Sequence, residues 1–342
     1  MKFALISADA SHAKQFVIHP EEGDATSFMN WVDVWKGYHF NFTKILADID
    51  VLKNFDVVMM SGHPSHIVDI IKIAKFLKDT DAVSMFYPEG SAQLYDNSIN
   101  GFHREYYDAW RACDIFSMAE EDKESYYKSF VTSDTIVSFI HVPLRAEMET
   151  GRFIVPHIQK AYNLSVVYGD NNPNHPLIAI ACSAKLGMDV ILADVDRDGK
   201  LVDIKNLFPN TNFNVVSKLS QYAYLRLLGH SGVHFYPTEW IGTARENISC
   251  AITGTPCIGS RESHTQRRLY PEWLAFSPYD VAGIIDAAKR IFSNSGHEYR
   301  DVAANAFKEA QFYNLENTKR RFSRAVKRAQ SAKQSRKAVM PV

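Results

Sequence analysis

The chain has 342 residues, 46% hydrophobic and 12% aromatic, with a formal net charge of −1. That length suits two α/β domains of ~150 residues each, and the apolar content excludes global disorder. No apolar run reaches the ~18 residues of a membrane span, the N-terminal apolar stretch is too short for a secretory signal, and Cys113, Cys182, Cys250 and Cys257 sit in contexts of buried free thiols, so a soluble cytoplasmic protein is expected.

In chain order, residues 2–7 and 56–61 read as β-strands. Residues 66–77 carry Ile67, Ile70, Ile71, Ala74 and Leu77 at helical spacing. Strands follow at 82–87, 114–118 and 136–142, separated by helices expected at 102–112 and 120–130. Near-continuous apolar strands alternating with helices predict a parallel sheet covered on both faces. Residues 143–163 break the rhythm with two prolines and mixed charge, and read as an interdomain linker. The alternation restarts with strands at 164–168, 189–193, 213–216, 233–236, 257–260 and 275–277. The helices between and after them are expected at 176–186, 220–228, 243–252 and 281–292. The fold class expected is α/β, with two doubly wound, Rossmann-like domains. The expected division is residues 1–150, residues 151–316 and a basic helix or tail at 317–342.

The tail changes the charge picture. No acidic residue follows Glu316, whereas nine basic residues do, from Lys319 to Lys337. Without them 29 Lys and Arg face 39 Asp and Glu, leaving residues 1–316 at −10. An acidic body with a basic end points to a polyanionic partner or to a solvated helix. Phe322, Ala325, Val326 and Ala329 make one apolar stripe along this segment.

The sharpest motif runs from Pro237 to Pro256, PTEWIGTARENISCAITGTP. It reads as a proline-led turn after a strand, a helix, a glycine-containing helix end and the start of another strand. A helix N-terminus after such a turn favours an anion. This pattern resembles the nucleotide-sugar half of GT-B glycosyltransferases, with Gly242, Gly254, Thr255 and Pro256 in the places that family uses. The two signature glutamates of the family fall on Ile241 and Ser249; Glu239 and Glu246 stand nearby. The resemblance implies a nucleotide-sugar donor, a UDP-sugar first, held in the second domain without a required metal, and a cleft facing the first domain. On this reading Gly169, Asp170, Asn171, Asn172, Glu239, Gly242, Thr243, Arg245, Glu246 and Arg261 bind the donor. Arg267 and Arg268 share with Arg261 a polar segment, SRESHTQRR, expected as a loop beside the same site.

In the first domain, FYPEG ends a buried strand with Glu89 beside Gly90. The phage DNA glucosyltransferases, also GT-B, carry a catalytic aspartate at the end of the corresponding strand, so the resemblance implies Glu89 as general base. His12, His63 and His103 are candidates for the acceptor side. Asp194, Asp196 and Asp198 before Gly199 resemble the opening of a calcium loop, but its twelfth position is Lys205, and a turn is the simpler reading.

For the acceptor, a hydroxymethylated DNA base of phage type ranks first, with Arg320, Arg321, Arg324 and Arg328 on the duplex phosphates. A glycan or lipid-linked sugar at an anionic membrane surface ranks second, and a catalytically degenerate GT-B binding module third.

Overall fold

The computed structural model describes residues 1–8, 14–15, 27–88, 103–118, 120–144, 151–156, 159–168, 176–193, 200–216, 219–238, 245–293 and 296–339. Two compact units result. One takes the described residues from Met1 to Leu144 and from Leu315 to Val339, the other those from Gly151 to Asn314.

The first unit runs β1 (Phe3–Ser7), β2 (Lys14–Gln15), α1 (Ser27–Trp35), β3 (Tyr38–Asn41), α2 (Phe42–Ala47), β4 (Val57–Gly62), α3 (Ile67–Lys78), β5 (Val83–Pro88), α4 (His103–Ala112), β6 (Ile115–Met118), α5 (Glu124–Lys128) and β7 (Ile136–Phe139). Its sheet has the order β2-β3-β1-β4-β5-β6-β7, parallel except for the β2–β3 pair. Alternate residues divide its core between two faces. Phe3, Leu5, Val57, Met59, Val83, Met85 and Ile115 join Trp31 and Val32 of α1 in one cluster. Phe86 and Phe116, on the other face, pack with Trp110 of α4 at ring-centroid distances of 6.4 and 4.7 Å.

The second unit runs β8 (Ala161–Tyr168), α6 (Pro176–Lys185), β9 (Asp189–Ala193), α7 (Lys200–Leu207), β10 (Phe213–Val216), α8 (Gln221–His230), β11 (Ser231–Tyr236), α9 (Arg245–Thr253), β12 (Cys257–Ser260), α10 (His264–Leu269), β13 (Ala275–Phe276), α11 (Val281–Phe292) and α12 (His297–Ala310). Its strands are all parallel in the order β10-β9-β8-β11-β12-β13. Numbered within the unit that is 3-2-1-4-5-6, the doubly wound Rossmann order.

The final helix, α13 (Leu315–Val339), belongs to the first unit. Its stripe of Phe322, Ala325, Val326 and Ala329 is 0–4% exposed and completes the cluster of β1, β4 and β5. Phe322 stacks on Trp35 with ring centroids 4.6 Å apart.

Several expectations need correction. Residues 120–130 are not one helix: a 3₁₀ turn at Glu121–Lys123 leads into α5, where only Tyr127 is buried. A polar segment without an apolar stripe lacks the packing that would extend it. The strand after the expected linker begins at Ala161, inside the range read as linker. Neither α1 nor β3 was expected, and β3 (YHFN) is short and half polar.

Candidate functional site

In a doubly wound sheet, ligands bind outside the carboxyl ends of the strands where the order reverses. In the second unit β8 and β11 are the adjacent strands on either side of that point. The chain leaves β8 towards Gly169, Asp170, Asn171 and Asn172, and leaves β11 through Pro237 and Thr238 towards Glu239, Gly242 and Thr243. Those seven candidate residues lie outside the described residues, but the strand ends that launch both segments flank the switch point.

The described part of this site gathers around the head of α9. Glu246, in its first turn, accepts a hydrogen bond from the phenol of Tyr224 on α8. Tyr236, the last residue of β11, and His234 two positions earlier share one face of the strand, their rings 6.1 Å apart. Burial pushes the Tyr224 and Tyr236 phenols up, and the nearby Glu246 carboxylate pushes them further, so both keep their protons. Burial pulls the His234 imidazole down, opposed by Glu246. Its Nδ1 donates to the Val166 carbonyl at 2.9 Å, and Nε2 is buried without a partner among the described residues. The result is a carboxylate at a helix N-terminus, held by one phenol and backed by a neutral imidazole. Such an arrangement can accept two hydroxyls of a sugar ring beside an anion-favouring helix end. Arg245 begins the same helix and is half-buried. Tyr224, Tyr236 and His234 were missed in the sequence, where nothing marks them apart from ordinary strand and helix aromatics.

The Gly-Thr-Pro end of the motif works at the opposite, amino end of the sheet. Gly254 has φ +68°, with its N–H bonded to Ala251 O and the Thr255 N–H to Cys250 O at 2.9 Å. That pair of bonds is a Schellman closure of α9, which favours glycine at the left-handed position. The Thr255 hydroxyl donates to Leu228 O at 2.7 Å, and the Pro256 carbonyl accepts the His234 N–H at 3.0 Å. These residues set the pitch and depth of α9.

The SRESHTQRR segment is not the loop expected. Ser263 caps α10, whose Thr265 and Gln266 are buried. Gln266 Nε2 donates to Cys257 O and Leu274 O, while its oxygen accepts from Asn247 on α9. Gly259 leaves room for it, since a Cβ there would stand 2.5 Å from Gln266 Oε1. Arg267 donates to Arg261 O, and the Arg268 guanidinium stacks 3.6 Å from the Phe312 ring centroid. Arg267 and Arg268 therefore serve local structure, whereas the Arg261 side chain is exposed.

In the first unit the switch point falls between β1 and β4. His63, exposed just after β4, holds its Nδ1 against Ser65 Oγ at 2.7 Å and accepts the Ser65 N–H, which leaves the ring proton on Nε2. His103 opens α4, whereas His12 and Glu89 lie outside the described residues. Two buried groups at neighbouring strand ends were missed: Glu120 after β6 and His141 after β7, each 1% exposed. His141 is a lone polar residue in an apolar run, whereas Glu120 only opens the charged run EEDKE and carries no signal of its own. His141 Nδ1 faces the Arg321 guanidinium at 3.4 Å, which can only donate, so Nε2 carries the proton and donates to Thr318 Oγ1 at 2.8 Å.

Arg321 thus turns toward His141 and the Phe139 ring. Arg320, Arg324 and Arg328 are exposed on the face opposite the buried stripe, with Arg320 reaching Asn317 Oδ1 at 2.8 Å. The nine charges of the tail are not all free. Lys333 is 5% exposed and bonds Leu77 O, Ala82 O and Asp114, Arg336 pairs with Asp114 and Asp134, and Lys337 pairs with Asp81. Among the described residues no group of three or more His, Cys, Asp or Glu side chains could hold a metal ion. Asp194, Asp196 and Asp198 lie outside them. Nor is any helix there long and apolar enough to cross a membrane. All four cysteines are buried and free.

No protein-family model matches the chain, and no curated protein matches its sequence. Solved structures do match its fold. The sucrose-phosphate synthase of Thermosynechococcus elongatus has a TM-score of 0.68 at 12% identity, covering 98% of this chain and 99% of the other. Anabaena HepE in complex with UDP-glucose has a TM-score of 0.72 at 8% identity, over 96% and 99%. The UDP-forming α,α-trehalose-phosphate synthase of Burkholderia xenovorans, in complex with glucose-6-phosphate, has a TM-score of 0.61 at 12% identity, over 88% and 78%. The fold is GT-B: two Rossmann-like α/β units, each doubly wound, as in these proteins.

Proposed function

We infer that this chain is a glycosyltransferase that moves a sugar from a UDP-sugar to a hydroxyl acceptor. The observation that carries the reading is the Glu246 carboxylate, held by Tyr224 at the N-terminus of α9, on the strand switch point of a sheet whose structural relatives were solved with UDP or UDP-glucose. Glu246 accepts the ribose hydroxyls, joined by Glu239. The segments at Gly169–Asn172 and Gly242–Thr243 offer backbone N–H groups to the diphosphate, with Arg245 and Arg261 supplying positive charge. Glu89 takes the proton of the acceptor hydroxyl as its oxygen bonds the anomeric carbon. The bond from that carbon to the diphosphate breaks, and UDP leaves with the electron pair. His12, His63 and His103 line the acceptor side.

The test is a melting screen with UDP, GDP, ADP and CMP, followed by UDP release from UDP-glucose. UDP at 100 times its Kd should stabilise the fold by ~2.7 kcal/mol. An unchanged melting point with every nucleotide sinks the reading, and nucleotide binding without release of UDP leaves only a binding module.

We place a sugar or sugar-phosphate hydroxyl first as acceptor, because sucrose-phosphate synthase and a trehalose-phosphate synthase in complex with glucose-6-phosphate share the fold. One observation favours the DNA base as a second reading: Arg320, Arg324 and Arg328 present an outward basic face. Duplex binding should then weaken with salt at a log–log slope of ~0.9 per phosphate contact. Replacing these three arginines with glutamine should flatten that slope. Binding to anionic vesicles without binding to duplex would favour the membrane-surface acceptor instead.

A further inference from the structure

The second unit contains a cavity of about 330 Å³ at the amino end of its sheet, remote from the strand ends that carry the nucleotide reading. Lys160 precedes β8, and the groups that hold it, Gly229 and Thr255, precede β11 and β12. Ile154, Pro156, Ala303 and Phe307 form apolar walls, and Arg300 of α12 is exposed at the cavity.

Lys160 is the anomaly. It is 7% exposed, donates to Gly229 O at 2.6 Å and to Thr255 Oγ1 at 3.1 Å, and has its ammonium 5.8 Å from the Tyr299 ring centroid. No carboxylate among the described residues lies within ion-pair range of it or of Arg300. A buried cation without a counter-charge is costly, and whatever brings an anion to it recovers part of that cost. Among the described residues the other buried lysine, Lys333, has Asp114.

We propose that this cavity is a second ligand site, for an apolar monocarboxylate whose carboxylate pairs with Lys160 while its body lies along Ile154, Pro156 and Phe307. One charge is the right count. Two of the three ammonium protons are already engaged, and the lining adds only Arg300 and the Tyr299 phenol as side-chain donors, too few for a diphosphate. The cavity lining contains no acidic side chain to repel the ligand.

The site stands apart from the UDP reading and is tested without nucleotide, by calorimetry and melting of the full chain with octanoate, benzoate and octanol. Octanoate should bind and raise the melting point, and octanol, with the same body and no charge, should bind at least tenfold more weakly. Lys160→Met should weaken octanoate about 10–100-fold, the loss of one charge-assisted hydrogen bond. Ala303→Phe fills the cavity with Lys160 intact and should also abolish binding, which guards against misfolding of the methionine variant. UDP binding should survive in both variants. Failure of octanoate and benzoate to bind, equal affinity for octanol, or unchanged affinity in both variants would overturn the proposal.

Discussion

The Lys333 ammonium lies 3.3 Å from the Asp114 carboxylate, across 219 residues of sequence. Asp114 also accepts the backbone and side-chain donors of Ser84 at 2.9 Å each and receives Arg336. Removing one partner of a buried ion pair leaves a buried charge and costs ~3–5 kcal/mol. Asp114→Ala, which strands the Lys333 ammonium, should therefore shift the urea midpoint strongly, and Lys333→Met less, because Arg336 and Ser84 still hold Asp114. The double variant should cost less than the two singles combined. Additive losses would show the pair to be uncoupled.

Glu246→Gln should weaken UDP binding by roughly 10–100-fold, the scale of a hydrogen bond to a charged group. Tyr224→Phe, which only frees the carboxylate from its tether, should cost about threefold to tenfold. Calorimetric titration separates the two. Wild-type affinity in the glutamine variant would remove Glu246 from the site.

Glu89→Gln should lower kcat by ~10²–10⁴ while leaving UDP affinity unchanged. Normal turnover would remove Glu89 from the chemistry.

Burial lowers the Lys160 amine from 10.5 to about 8. Below pH 8 the folded protein carries a buried charge that the unfolded chain solvates, a penalty present in full. Between pH 8 and 10.5 the folded form has lost the proton and the unfolded form has not, so stability rises with pH through that window. At 1.36 kcal/mol per unit the gain relative to Lys160→Met is roughly 3 kcal/mol. Urea melts of both proteins at pH 7 and pH 10 check it, and parallel profiles would contradict it.

Gly254→Ala should cost about 1–2 kcal/mol, since its φ of +68° suits glycine and a Cβ would meet Ile154 Cγ2 at 3.3 Å. The urea midpoint reports it. A neutral substitution would mean the turn relaxes.

The fold was legible because both sheets are built from runs such as VVMMSG and VSMFYP, buried on both faces and bounded by helical spacing. The glycine of Gly-Thr-Pro was equally plain, since a helix end in left-handed backbone asks for that residue. The site was harder. Glu246 stood out by its place in a motif, but Tyr224 becomes relevant only when α8 is laid beside α9. His141 and Lys160 are single polar residues whose meaning depends on packing against α13 and on the segment before β12. The tail misled in part, because charge can be counted along a sequence while the carboxylate partners of Lys333, Arg336 and Lys337 come from residues 81–134. Burial of Phe322 is what draws them in.

That same burial has a temporal side. Phe322, Ala325, Val326 and Ala329 fill the core of a unit whose strands are synthesised first. At ~5–20 residues per second, roughly 10–40 s separate the emergence of Leu144 from that of Ala329. Throughout that interval Phe3, Trp31 and Met59 lack their last covering surface, whereas the second unit has all its own strands before α13 appears. Nascent chains halted before residue 315 should therefore present a folded second unit and an open first one, a natural target for chaperones on the ribosome.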